Sequence, residues 1–107
     1  MKINISNTSF VELEAKAEEA AIVLGAMANP KRLMVLCKLL EEEKSVNELA
    51  EIVNLSPAAL SQHLSKLRAL ALVETRREGQ IIHYRLASGK VKEILETLYR
   101  LYCSPEI

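Results

Sequence analysis

Apolar residues recur along this chain at helical spacing from Phe10 to Leu67, switch to an alternating pattern, and return to helical spacing near the C-terminus. Phe10, Leu13, Ala17, Ala20 and Leu24 share one stripe of a first helix that the spacing predicts to run to about Met27. Ser9 followed by Glu12 has the capping-box pattern that starts such a helix. Residues 1–8 show no periodicity and read as a flexible lead, so the folded domain is expected to span residues 9–104.

Asn29-Pro30 offers a capping side chain and a proline at the first helical position, where a missing N–H is no loss. The second helix should turn Leu33, Leu36, Cys37 and Leu40 inward and run out in the charged residues 41–44. A second capping box, Ser45 to Glu48, opens a short third helix with Val46, Leu49, Ala50 and Val53 inward, stopped at Asn54. Ser56-Pro57 repeats the cap-plus-proline signal almost at once. The fourth helix then buries Leu60, Leu64 and Leu67 and leaves Ala58, Ala59, Ser61, Gln62, Ser65 and Lys66 outward. Beyond Ala71, residues 72–77 and 81–86 read as two strands around Glu78-Gly79-Gln80, with Gly79 available for positive φ. Ser88 opens a last helix whose wide stripe holds Val91, Ile94, Leu95, Leu98, Leu101 and Tyr102, and Ser104-Pro105 ends it.

Two short helices joined tightly and followed by a hairpin form a helix-turn-helix with a wing. The expected fold class is therefore mostly α with a β-hairpin, a winged helix-turn-helix.

Composition narrows the function. The chain of 107 residues has room for one domain, and its net charge is zero. That balance hides an asymmetry: residues 56–86 carry Lys66, Arg68, Arg76, Arg77 and Arg85 against only Glu74 and Glu78. One basic block on a neutral chain suits a local anionic partner. The chain has no apolar run of about 18 residues and no signal-peptide core at its start, so a soluble cytoplasmic domain with no membrane contact is expected. Two cysteines, Cys37 and Cys103, are too few for a disulfide framework and fit a reducing compartment. Asp is absent, and no Gly-rich phosphate loop or Ser/His/Asp set can be composed, so an enzyme is not expected.

The outward face of the fourth helix suits double-stranded DNA. Small residues such as Ala58 let the backbone approach a base edge, and Gln62 offers a donor and an acceptor together. Ser56, Ser61 and Ser65 can bond phosphates or bases, and Lys66 and Arg68 follow on the same helix. Arg76, Arg77 and Gln80 fall near the wing tip. His63 adjoins the buried stripe, where it either bonds a neighbour within the domain or meets a phosphate or base. His83 is expected to face solvent. Two isolated histidines on different elements make no metal site, and no cofactor is implied. The Ala-rich first helix and the wide last stripe either complete the core or form a two-fold homodimer, as in readers of half-sites about 10 bp apart. A winged-helix protein-interaction module with no DNA site is the competing class.

The segments AMANPKRL (26–33), LSPAALSQHL (55–64), RREGQ (76–80) and HYRL (83–86) resemble the arsenic-repressor (ArsR) family of bacterial transcription regulators over roughly residues 12–103. LSQHL (60–64) is the most specific of these signatures. The resemblance implies a homodimeric winged-helix repressor with its first and last helices at the dimer interface. Many members sense metals or metalloids, but the third helix here lacks the Cys-x-Cys of one such site and the last helix lacks the Asp and His of another. Cys37 in LCKLL (36–40) and Cys103 in LYC (101–103) instead resemble the sulfide-responsive branch. In that branch, reactive sulfur species or oxidants join two cysteines by a disulfide or polysulfide bridge. Some relatives with such a pair act as anti-repressors of virulence genes, and a metal-responsive repressor remains the alternative within the family.

Overall fold

The computed structural model describes residues 7–103, with side chains from Ser9 onward. Its elements, in chain order, are α1 (Asn7–Met27), α2 (Pro30–Glu41), β1 (Lys44–Ser45), α3 (Val46–Val53), α4 (Pro57–Ala69), β2 (Val73–Glu78), β3 (Ile81–Leu86) and α5 (Gly89–Cys103). The strands form one antiparallel sheet in the order β1-β3-β2. This is the expected winged helix-turn-helix.

Most boundaries follow the local signals. Asn29 accepts from the Lys31 and Arg32 backbone N–H groups at 3.0 and 3.2 Å, with Pro30 at the first helical position. The Ser45 hydroxyl accepts from the Glu48 N–H at 3.2 Å, and the Glu48 carboxylate accepts from the Ser45 N–H at 2.9 Å. Asn54 ends α3 in the left-handed region at φ 57, a conformation that asparagine tolerates. Ser56 caps α4 by accepting from the Ala59 N–H at 3.1 Å, and Ser88 caps α5 by accepting from Val91 at 3.2 Å. Gly79 takes φ 63 in the two-residue turn between the paired Glu78 and Ile81.

The core gathers Leu36, Leu49, Leu60, Leu64, Leu67 and Leu95 with Val35, Val53, Val73 and Val91. On α2 the fully covered residues are Val35, Leu36 and Leu39, while Leu33, Cys37 and Leu40 are half-buried, a stripe rotated from the expected one. The cause is that α2 packs against α1, α3, α5 and β3, so more than one of its faces is covered.

Four points correct or extend the expected picture. Ser9 does not start α1, which is already helical at Asn7. A capping pattern is a local preference of about 1 kcal/mol, too small to stop a helical run that extends past it. Residues 7 and 8 of the expected lead are thus helical, and residues 1–6 lie outside the described part. Secondly, the stripe on α1, for which the sequence left core and dimer interface as alternatives, is open in the single chain: Phe10, Leu13 and Leu24 are each about half exposed, while Val23, Ala26 and Met27 reach the core. The third correction is β1, which has no counterpart in the sequence reading and pairs Lys44 with Tyr84 and Ser45 with His83. That strand produces the fourth: His83 is not solvent-facing but has a side chain only 16% exposed, with Nε2 3.2 Å from a Glu78 carboxylate oxygen. The stop expected at Ser104-Pro105 lies outside the described residues.

The α3 cap carries a pH dependence. The backbone and hydroxyl of Ser45 hold the Glu48 carboxyl below its ordinary range. A carboxyl whose folded pKa is depressed adds stability above its unfolded pKa and loses it as pH falls through the folded one. Wild type is therefore expected to lose more stability than Glu48→Gln between neutral pH and about pH 3 in denaturant titrations. Parallel losses in the two proteins would show that the cap does not titrate.

Candidate nucleic-acid interface and thiol pair

Helix α4 is fixed from beneath by Leu60, Leu64 and Leu67, which are fully buried. That anchoring presents Ala58, Ser61, Gln62, Ser65, Lys66 and Arg68 together on the exposed face. Ser56 is exposed as well, but its hydroxyl is already occupied as the α4 cap. His63 stands at the border of the exposed face, half-buried, with Nδ1 accepting from Arg32 Nε at 3.0 Å. The intradomain bond foreseen as one of its two roles is present.

The wing separates two arginines that are adjacent in sequence. Strand alternation sends Arg76 and Arg77 to opposite faces of the hairpin. Arg76, opposite His83, makes a two-pronged pair with Glu43 and lies 3.8 Å from Glu78. This hydrogen bonding holds the Glu43 carboxyl below its ordinary range and raises the Arg76 guanidinium. Arg85 is likewise paired with Glu74 at 2.7 Å. Arg77 makes no such pair among the described residues: its Nε donates to the Gly79 carbonyl at 3.0 Å, so it braces the turn. Gln80 is exposed at the tip. Glu43 is the site residue that sequence reasoning missed, because it lies far from Arg76 in the chain and only β1 brings it beside the wing.

The cysteines sit on α2 and at the end of α5, helices that pack together. Cys37 is half-buried and Cys103 exposed. Burial pushes the Cys37 thiol above its ordinary range, and negative charge on the neighbouring Cys103 raises it further. A cleft beside Cys37 is lined by Met34, Lys38, Glu41, Ile52 and Tyr99. Among the described residues, no three His, Cys, Asp or Glu side chains converge as metal ligands, and no single helix is long and apolar enough to cross a membrane.

A helix with small and amide side chains on its open face, backed by a short partner helix and flanked by a wing, defines a winged helix-turn-helix DNA-binding protein. Residues 29–75 match the family model described as "Bacterial regulatory protein, arsR family". The transcriptional activator HlyU of Vibrio cholerae is 50% identical over 92 residues, covering 86% of this chain and 85% of that protein. The structure of reduced HlyU superposes with a TM-score of 0.83 over 86% of this chain and 97% of that one. A biofilm growth-associated repressor of Agrobacterium fabrum is 40% identical over 97% of this chain and 89% of its own length. A homodimeric winged helix-turn-helix DNA-binding domain from Mycobacterium bovis, 31% identical, superposes with a TM-score of 0.74 over 82% of each chain. The chain belongs to the arsR family of bacterial DNA-binding transcriptional regulators.

Proposed function

We propose that the protein is a homodimeric repressor that holds operator DNA while its thiols are reduced. It releases the DNA when reactive sulfur species or oxidants join Cys37 to Cys103. The observation that carries this reading is the packing of α5 against α2, which sets the two cysteine-bearing helices side by side. The HlyU structure described as reduced supports a redox variable in a relative of this chain. The test is a gel shift on the DNA upstream of the protein's own gene, with and without reductant. Binding that is indifferent to reductant and oxidant would sink the switch. Release by stoichiometric zinc, arsenite or cadmium would point to metal sensing, which needs about four ligands in a closed site.

The contacts proposed on DNA divide into two kinds. Gln62, with Ala58, Ser61 and Ser65 around it, meets base edges, while Lys66, Arg68, Arg77 and Gln80 meet the backbone; Arg76 serves the wing's own ion pairs. Gln62→Ala is expected to weaken operator binding by about 1–3 kcal/mol and leave random-sequence binding nearly intact. Equal losses on both DNAs would remove its base-reading role. Arg77→Ala should weaken both about equally and reduce the salt slope by about one. A slope equal to wild type would place Arg77 off the phosphates.

A second reading, anti-repression, is favoured by the relative named as an activator. Transcript levels of the target in a deletion strain separate the two, rising for a repressor and falling for an anti-repressor.

A further inference from the structure

Arg32 reaches in two directions from the first turn of α2. Its Nε donates to His63 Nδ1 at 3.0 Å, and its Nη1 donates to the Ala26 carbonyl at 3.4 Å. One guanidinium thereby straps the C-terminal end of α1 to the flank of α4. The fork is planar and rigid, so occupying one prong orients the other.

The bond to His63 has a chemical consequence. A guanidinium Nε always carries its hydrogen and cannot accept, so Nδ1 must be the bare nitrogen of the imidazole. A neutral imidazole has one ring proton, and with Nδ1 bare that proton resides on Nε2. His63 lies between the buried stripe of Leu60, Leu64 and Leu67 and the exposed face that holds Gln62 and Lys66, and it is itself half-buried. On a helix seated in the major groove, side chains at that border meet the flanking phosphates rather than the base edges.

We propose that Arg32 is a positioning residue for DNA binding: by occupying Nδ1 it fixes His63 as the Nε2–H tautomer and presents that N–H to a backbone phosphate. The proposal rests on the DNA-binding reading of α4. It joins in one side chain the two roles that the sequence left as alternatives for His63. It also places the end of α1 and the flank of the reading helix on a single guanidinium.

The test uses the full-length reduced protein at about pH 8, above the ordinary imidazole range. Long-range proton–nitrogen correlation spectra are expected to show the His63 proton on Nε2 in wild type, and a mixture of tautomers in Arg32→Met. A proton on Nδ1, or a mixture in wild type, overturns the positioning role. Two substitutions at His63 then separate its nitrogens. His63→Asn keeps an acceptor where Nδ1 lies but has no donor at the Nε2 position. It should melt near wild type yet lose about five- to tenfold in affinity for the upstream DNA, the worth of one hydrogen bond. Its salt slope should be unchanged, because a neutral donor releases no counterion. His63→Gln reaches the Nε2 position but gives up the acceptor, and should melt lower while recovering part of the affinity. His63→Asn binding as tightly as wild type overturns the phosphate donor, and so does a reduced salt slope, which marks a cationic contact. Failure of wild type itself to bind any DNA sinks the underlying reading and the donor role together. The tautomer spectra judge the Arg32–His63 strap separately from DNA.

Discussion

Treated with an organic persulfide or a disulfide reagent, wild type is expected to gain a link between Cys37 and Cys103 within one chain and to lose operator DNA. Cys37→Ser and Cys103→Ser should stay bound. The order of events follows from exposure. Cys103 is open to solvent and meets the reagent first, its thiolate attacking the disulfide and expelling one thiolate of the reagent. Cys37 is half-buried and its raised pKa keeps it protonated at neutral pH, so it is the weaker nucleophile and closes the bridge second. On deprotonation it attacks the Cys103 sulfur and expels the second reagent thiolate. Two protein thiols have then lost two protons and two electrons, and a disulfide reagent is reduced to two thiols, a persulfide to one thiol and hydrogen sulfide. Closure should accelerate as pH rises towards the raised Cys37 pKa, because the fraction of attacking thiolate grows. A direct bond requires Cα atoms within about 7 Å, and a polysulfide tolerates a wider gap. In the chain-entropy model, closing so long a loop stabilises the bridged state by up to about 4 kcal/mol. That term favours folded over unfolded chain; an altered position of α5 on α2 would be held by the covalent link itself. Intact-protein mass spectrometry run beside the binding assay reads both events. A single-serine variant that releases DNA on treatment as wild type does would show the paired switch to be wrong.

The double variant Leu13→Glu/Leu101→Glu is expected to sediment as a monomer and to lose operator affinity by about a hundredfold or more. Each half-site then binds alone, without the effective concentration that a linked second head provides. The motive is the apolar surface that one chain leaves open: Leu13 is 49% exposed on α1, and Leu101 and Tyr102 are 69% and 82% exposed on α5. Side chains of this kind are seldom left open on two long helices unless another surface covers them. Because neither leucine belongs to the buried core, circular dichroism should report a folded protein. A double variant that remains dimeric with wild-type affinity would place the interface elsewhere.

Elements bounded by local chemistry were legible in the sequence. Asn29-Pro30, Ser45 with Glu48, Ser56-Pro57 and Gly79 each act within a few residues, and each takes the expected conformation. The outward face of α4 was legible for the same reason, since Leu60, Leu64 and Leu67 define one narrow buried stripe. What escaped depends on contacts between distant segments. Two residues are too few to show strand periodicity, so β1 was hidden in the charged run 41–44. With it were hidden the burial of His83 and the Glu43–Arg76 pair. The stripe on α1 was read correctly as apolar, but periodicity cannot say whether a stripe faces its own core or another molecule. Periodicity likewise cannot show that α5 packs on α2, the contact that sets the two cysteine-bearing helices side by side.

Ser45 belongs to two elements at once. Its backbone pairs with His83 in the sheet, and its hydroxyl caps α3. The wing and the helix pair are therefore bolted at a single residue, and Glu43 with Arg76 adds a second bolt beside it. Under the proposed thiol switch, a signal would not readily bend this assembly within itself. What it would change is the hold of α5 and α1 on the rest, and so, in the proposed dimer, the angle at which two rigid heads are carried. Such a device behaves as a caliper: its jaws keep their shape, and information is written in the gap between them.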